Sequence, residues 1–144
     1  MAATVDRVRA GFIGAGRISD LHALEYIANP DAEIVAIADT DRALAERRGR
    51  AWGFPNARIY DDYRALLDDP AVNAVEILLP HHLHCEAALA AMDAGKHVSL
   101  QKVMTTTVAD ADRLVETAKT ARGVFRVFEN FIFYPPVMKA KALI

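Results

Sequence analysis

The apolar run Val8-Arg9-Ala10-Gly11-Phe12-Ile13 leads directly into Gly14-Ala15-Gly16-Arg17-Ile18-Ser19, after which an amphipathic pattern begins. Two glycines and a small residue at this spacing, between a strand and a helix, suit a turn that cradles phosphate. Gly14 permits a tight reversal. Gly16, lacking Cβ, lets the backbone approach a pyrophosphate at the positive N-terminal end of the next helix, and Ser19 allows close helix-to-strand packing. By itself the pattern also fits a plain connection. A second run, Glu33-Ile34-Val35-Ala36-Ile37-Ala38-Asp39, ends in an acid 23 residues after Gly16. That is close to the roughly 20-residue offset at which such an acid meets the adenosine ribose hydroxyls of a dinucleotide. The two features together predict a dinucleotide site.

Asp39 bears on which dinucleotide. A carboxylate accepts from both ribose hydroxyls of NAD, whereas a 2′-phosphate about 4 Å away would meet repulsion of roughly 1 to 4 kcal/mol per charge pair. NAD is therefore expected over NADP. Arg42, three residues on, leaves NADP open, because a guanidinium there could reach a phosphate; a solvated arginine at a helix start is the plainer reading. Flavin or S-adenosylmethionine domains share the same local motif.

Lys102 follows a strand-like run at 96–100 and so falls near the carboxyl edge of a sheet, where a solvated surface lysine is the bland alternative. Pro80, His81, His82 and His84 lie between a strand run and a helical segment. Zinc would need three or four ligands in tetrahedral array, and no acid or cysteine completes a recognisable spacing, so no metal is expected. These residues read as a loop lining a cofactor, or as a helix cap and surface loop. Ser19 and Ser99 lack a His-and-acid arrangement and no nucleophile-elbow motif occurs, which removes hydrolase chemistry. Trp52, Phe54 and Tyr63 read as packing.

The elements that must position these residues follow from periodicity. Strand-like runs at 7–13, 33–38, 74–79, 96–100 and 124–128, with a short one at Arg58-Ile59-Tyr60, alternate with helical patterns at 17–28, 40–52, 62–68, 84–94 and 107–122. The alternation predicts an α/β fold with a parallel sheet, and right-handed crossovers make it doubly wound, with ligand at the carboxyl ends of the strands. Apolar runs such as Val75-Glu76-Ile77-Leu78-Leu79 suit strands covered by helices on both faces.

The 144 residues, 53% of them hydrophobic, suffice for one domain with a full core. A net charge of −2 without a basic stripe argues against nucleic acid. The lone Cys85 allows no internal disulfide, and neither a signal segment nor an apolar run of membrane-spanning length occurs, so a cytoplasmic setting is expected. After the last strand run, Glu129 to Pro136 leads into a helical pattern over Val137 to Ile144 whose apolar stripe of Val137, Ala140, Leu143 and Ile144 has nothing after it to pack on. The expectation is a part of a longer enzyme.

These residues resemble the Gfo/Idh/MocA family, the glucose-fructose oxidoreductase and inositol dehydrogenase group. The resemblance rests on Gly14-Ala15-Gly16-Arg17-Ile18, Asp39, Tyr60-Asp61-Asp62-Tyr63, Val75 to Pro80 with His84 following, and Ala94 to Val98 leading to Gln101-Lys102-Val103. It implies a Rossmann NAD(P)-binding domain over 1–128 and, over 129–144, the start of a crossover into a substrate-binding α/β domain absent from this chain. It further implies an NAD(P)-dependent oxidoreductase acting on a secondary alcohol of a sugar, polyol or related small molecule, a homo-oligomer in full-length form, and little turnover by this chain alone. The cofactor contacts it implies are Gly14, Ala15, Gly16, Arg17, Ile18, Asp39, Thr40, Arg42, Leu79, Pro80, His81, His84, Gln101, Lys102 and Asn130, with Lys102 as the catalytic residue between nicotinamide and substrate.

The family motif at this point is Glu-Lys-Pro, and the chain departs from it on both sides. Gln101 removes a negative charge that would favour the ammonium form of Lys102. Val103 replaces the proline, and because a non-proline cis bond costs about 2.5 to 4 kcal/mol, the Lys102–Val103 peptide is expected to be trans, with Lys102 shifted. A non-catalytic nucleotide-sensing module, with the apolar stripe of 137–144 as a docking surface, is the alternative from another class.

Overall fold

A computed structural model describes residues 7–129 and 134–143. Six strands alternate with helices: β1 (Val8–Ile13), α1 (Arg17–Ala28), β2 (Ala32–Ala38), α2 (Arg42–Ala51), β3 (Arg58–Tyr60), α3 (Tyr63–Leu67), β4 (Ala74–Ile77), α4 (His84–Asp93), β5 (His97–Gln101), α5 (Val108–Ala118), β6 (Phe125–Phe128) and α6 (Pro135–Ala142). All strand pairs are parallel and the order is β3-β2-β1-β4-β5-β6. The chain thus starts at the centre, builds outward to β3, returns to the other side of β1 and builds outward again. This is the doubly wound Rossmann arrangement that the alternation predicts.

Element boundaries differ from the periodicity where caps intervene. α2 begins at Arg42 because the Asp41 side chain accepts from Leu44 N–H, and α5 begins at Val108 because Thr107 accepts from Asp110 N–H. α5 ends four residues before the apolar pattern does, where Lys119, Thr120 and Ala121 bond back to Glu116 and Thr117 in a tighter turn. β4 ends at Ile77, so Leu78 and Leu79 lie beyond the strand.

Two cores flank the sheet. On one face Ala23 of α1 and Ala45 of α2 pack with Phe12, Ile34, Ile37 and Trp52. On the other, Leu66 and Leu67 of α3, Ala87, Ala88 and Ala91 of α4, and Leu114 of α5 close over Val75, Ile77, Val98 and Leu100. The two faces of β4 and β5 therefore differ, since alternate residues point opposite ways. Val75, Ile77, Val98 and Leu100 are apolar, and Glu76, Ser99 and Gln101 between them meet α1. Helices cover β4 on both faces, as its apolar run predicts, but on the α1 side the contact with Glu76 is polar, through His22 and Tyr26. On the α1 side a cleft of about 460 Å³ remains, lined by Ile18, Leu21, His22, Tyr26, Glu76, Ser99 and Phe128 among others.

Leu114 is fully buried and joins α5 to the core. Leu114→Ala is expected to lower the unfolding free energy by about 2 to 5 kcal/mol, read from urea denaturation, because it opens a cavity as well as losing apolar burial.

Candidate functional site

β1 pairs with β2 on one edge and β4 on the other, so the loops after β1, β2 and β4 leave the sheet side by side at the point where the winding reverses. In the first loop Gly14 has φ +101°, and a Cβ there would lie 2.8 Å from the Leu78 carbonyl oxygen. The fold itself requires this glycine. Gly16 contrasts with it: exposed, at φ −66°, its Cβ would meet nothing within 4 Å. No packing in the described residues demands a glycine at 16, and the bare backbone faces open space. Gly16 is also the N-cap of α1 and supplies no side-chain bond; Ser19 N–H donates to the Gly16 carbonyl at 3.0 Å, and the Arg17 and Ile18 amides are left to carry the positive end of the helix dipole. Ser19 is fully buried, and its hydroxyl donates to the Gly16 carbonyl. Arg17 is exposed and Ile18 half-buried at this mouth, while Ala15 is buried.

Asp39, at the end of β2, is tied to this loop. Its Oδ2 accepts from Ala15 N–H at 2.7 Å and its Oδ1 from Asp41 N–H at 2.8 Å. One carboxylate thus fixes the glycine loop against the start of α2. Thr40 is exposed beside it. The Arg42 guanidinium pairs with Glu46 at 3.4 Å and Asp61 at 3.5 Å, which leaves it exposed and shared between two acids. Arg48, which the motif reading did not include, bonds Asp20 at 2.7 Å and approaches the Ala15 carbonyl at 3.4 Å, and Trp52 Nε1 donates to the same Asp20 at 3.0 Å. This clamp braces the loop from beneath.

Leu79 and Pro80 lead into a single 3-10 turn at His81–Leu83 and then α4. His81 is exposed, but His84 is fully buried, with Nδ1 2.7 Å from the Val103 carbonyl and Nε2 2.9 Å from the Leu79 carbonyl. His84 is thus a strut between the loops after β4 and β5, with no ring edge at the surface. Lys102 is exposed just beyond β5, and its backbone N–H donates to the Gln101 side-chain oxygen at 2.7 Å. The Lys102–Val103 peptide is cis, correcting the expectation of a trans bond. The groups flanking this peptide are held, the Lys102 N–H by the Gln101 side chain and the Val103 carbonyl by His84, contacts that the residue-type argument does not include. Asn130 lies outside the described residues.

A buried polar cluster behind Lys102 was not foreseen. Glu76, on β4, accepts from Tyr26 at 2.9 Å and Ser99 at 3.1 Å and faces His22 Nδ1 at 2.9 Å; His22 Nε2 lies 2.6 Å from the Gln101 amide nitrogen. Burial first, and the Glu76 carboxylate second, push the Tyr26 phenol well above its usual range. Ser99 lies close to an acid and a histidine, a juxtaposition the sequence reading did not include; its hydroxyl donates to Glu76, and His22 faces the same carboxylate oxygen. The available signal was an acid inside the apolar run Val75 to Leu79. Among the described residues no group of three or more His, Cys, Asp or Glu converges as a metal site, and no helix is long and apolar enough to cross a membrane.

An open helix N-terminus at a glycine turn, an acid at the end of β2 and a lysine after β5, gathered at the reversal of a doubly wound sheet, define a dinucleotide-binding Rossmann domain. The chain belongs to the Gfo/Idh/MocA oxidoreductase family: the family model described as "Oxidoreductase family, NAD-binding Rossmann fold" matches residues 8–129. It is the NAD(P)-binding domain of that family. It is 32% identical to levoglucosan dehydrogenase of Pseudarthrobacter phenanthrenivorans over 97% of this chain and 37% of the relative, and 34% identical to myo-inositol 2-dehydrogenase of Thermotoga maritima over 79% and 34%. It superposes on the 3-ketoreductase KijD10 from Actinomadura kijaniata, solved with NADP, with a TM-score of 0.85 and 29% identity over 94% of this chain and 43% of that one. The chain therefore spans little more than a third of these curated relatives' length.

The two glycines are expected to separate fold from binding. Gly14→Ala is expected to cost about 1 to 3 kcal/mol of stability, from a strained backbone and a close carbonyl. Gly16→Ala should stay within about 0.5 kcal/mol of wild type in the same denaturation series, yet weaken nucleotide binding in calorimetry. Tyr26 gives a pH test. A phenol whose folded pKa is raised contributes stability that is intact below about pH 10, its ordinary value, and is lost as pH rises further, since only the unfolded chain ionises it readily. Tyr26→Phe is expected to flatten the alkaline fall in melting temperature above that pH.

Proposed function

We propose that this chain is the cofactor-holding part of an oxidoreductase that removes hydride from a secondary alcohol of a sugar, polyol or related small molecule, with NAD as acceptor and NADP as a secondary one. The observation carrying the reading is Gly16, a glycine that packing does not require, at an uncapped helix N-terminus beside Asp39. The donor set suits a dinucleotide: open amides and a dipole for a pyrophosphate, and a carboxylate for ribose hydroxyls.

In this reading residues 1–128 form the nucleotide domain and 129–144 begin the crossover to a substrate domain. Gly14, Ala15, Gly16, Arg17 and Ile18 hold the pyrophosphate; Asp39 and Thr40 take the adenosine ribose. Arg42, already shared with Glu46 and Asp61, is poorly placed to serve a 2′-phosphate alone, which favours NAD. Leu79, Pro80 and His81 line the nicotinamide side, His84 holds their loop from within, and Gln101, Lys102 and Asn130 face the reacting end. A bound nicotinamide supplies the hydride acceptor. Lys102 orients the substrate hydroxyl and receives its proton while the C–H electron pair departs with the hydrogen, leaving a carbonyl. The names of the relatives, dehydrogenases of levoglucosan and myo-inositol, support a polyhydroxylated substrate. A small-molecule partner rather than nucleic acid, a homo-oligomer in longer form and a cytoplasmic setting complete the reading.

Calorimetry with NAD and NADP on wild type and Asp39→Asn tests it. Asn keeps an acceptor for Ala15 N–H while removing the charge, so NAD is expected to bind the wild type more tightly, and the variant is expected to lose about tenfold or more of that preference. Absence of binding by either nucleotide, or an unchanged preference, would overturn the assignment.

A further inference from the structure

The hydrogen bonds behind Lys102 fix more than shape. A backbone N–H can only donate, so the Lys102 amide requires the oxygen of the Gln101 side chain as its acceptor, at 2.7 Å. The Gln101 NH₂ group must then point the other way, and it meets His22 Nε2 at 2.6 Å. That nitrogen has to accept, which leaves the ring proton on Nδ1, where Glu76 Oε1 receives it at 2.9 Å. Glu76 accepts at its other contacts as well, from Tyr26 on Oε2 and Ser99 on Oε1, so the order of donors and acceptors runs unbroken from the carboxylate to the lysine backbone. The three central side chains are buried, at 9%, 3% and 5% exposure for His22, Glu76 and Gln101, and water cannot substitute freely for any of the links.

We propose that His22 is a positioning residue for Lys102: Glu76 locks its ring as the neutral Nδ1–H tautomer, and Gln101 transmits that lock to the Lys102 backbone. The groups facing the ring come from every packed element. They are Tyr26 and the cleft-lining Glu25 from α1, Glu76 from β4, Ser99 and Gln101 from β5, and the Phe128 ring, 5.1 Å away, from β6. Gln101 is the element that a carboxylate could not replace without changing the ring. With Glu at 101, both ring nitrogens would face acceptors and His22 would need a second proton. The amide therefore keeps His22 uncharged between β4 and β5 while leaving one oxygen for Lys102. That placement matters for chemistry only if Lys102 reaches substrate, so the functional weight of the proposal rests on the reading above; the tautomer itself does not.

Long-range ¹⁵N–¹H spectra of the ¹⁵N-histidine-labelled 144-residue chain at neutral pH test it without nucleotide, so this result and the binding result fail independently. In wild type, His22 is expected to show a protonated Nδ1 and a bare Nε2. An Nε2–H ring or a doubly protonated ring would overturn the proposal, and this arm needs no variant. In Gln101→Glu the ring is expected to carry protons on both nitrogens; a ring with one proton would contradict the lock. In Gln101→Leu, amide exchange at Lys102 should accelerate at least tenfold while Val98 and Leu100 on β5 keep their wild-type rates. Uniform acceleration along β5, or none at Lys102, would reduce Gln101 to ordinary packing and reject its role as connector.

Discussion

β1 is hydrogen-bonded on both edges, to β2 through Val8 to Ile13 and to β4 through Ala10 to Ile13, and the loops after β1, β2 and β4 hang from that double pairing. Because strands 2 and 4 are consecutive in neither space nor chain except through β1, the register along this one strand sets how far the loops after β1, β2 and β4 project. A shift there would move Gly14, Asp39 and Leu79 relative to one another. Two bonds just beyond the sheet show how closely the ends are matched: Gly14 N–H donates to the Ala38 carbonyl and Leu78 N–H to the Ile13 carbonyl, each at 2.8 Å. The glycine turn is thereby an extension of the sheet rather than a loose connection, and its geometry is inherited from strand pairing.

The sheet is asymmetric in what it covers. α3, α4 and α5 bury an apolar face made of alternate residues of β4 and β5, whereas the intervening residues on the α1 side are Glu76, Ser99 and Gln101. Burying a carboxylate is costly unless it is paired and hydrogen-bonded, and a well-packed apolar group would often serve stability as well. Three donors on Glu76 meet the first condition. The second consideration is why a purely structural account is unsatisfying: the cluster ends on the backbone of the residue after β5, at the same sheet edge as the glycine loop, and not in the middle of the core.

Much of the scaffold was legible because it depends on local pattern. The strand at Arg58–Tyr60, the glycine turn and the acid at the end of β2 are each signalled by a few contiguous residues. What escaped depends on contacts between distant segments. His22 and Gln101 are 79 residues apart and His22 and Glu76 are 54 apart, so the acid inside Val75 to Leu79 could be noticed but not paired. His84 illustrates the same limit: its position after β4 suggested a loop lining a cofactor or a helix cap, while the two carbonyls that its ring meets, 5 and 19 residues away, were invisible in the sequence. The cis peptide after Lys102 failed for that reason too, since residue type at 103 argued for trans while the partners on either side were invisible in the sequence.

In the proposed reading Asp39 would join specificity to loop shape. A carboxylate offers about four acceptor positions. Ala15 N–H and Asp41 N–H occupy one on each oxygen, which leaves capacity on both for the two hydroxyls of a ribose. In the proposed site the same bonds would couple recognition of ribose and pyrophosphate, because the carboxylate proposed for the ribose also holds the main chain of the turn proposed for the phosphates. Replacing the acid to admit a 2′-phosphate would relieve repulsion yet remove the tether at Ala15. A switch of cofactor preference in the proposed site would therefore call for a neutral acceptor at 39 together with a cation released from its present partners, and Arg42, engaged by Glu46 one turn along α2 and by Asp61 after β3, is the group whose release would matter most.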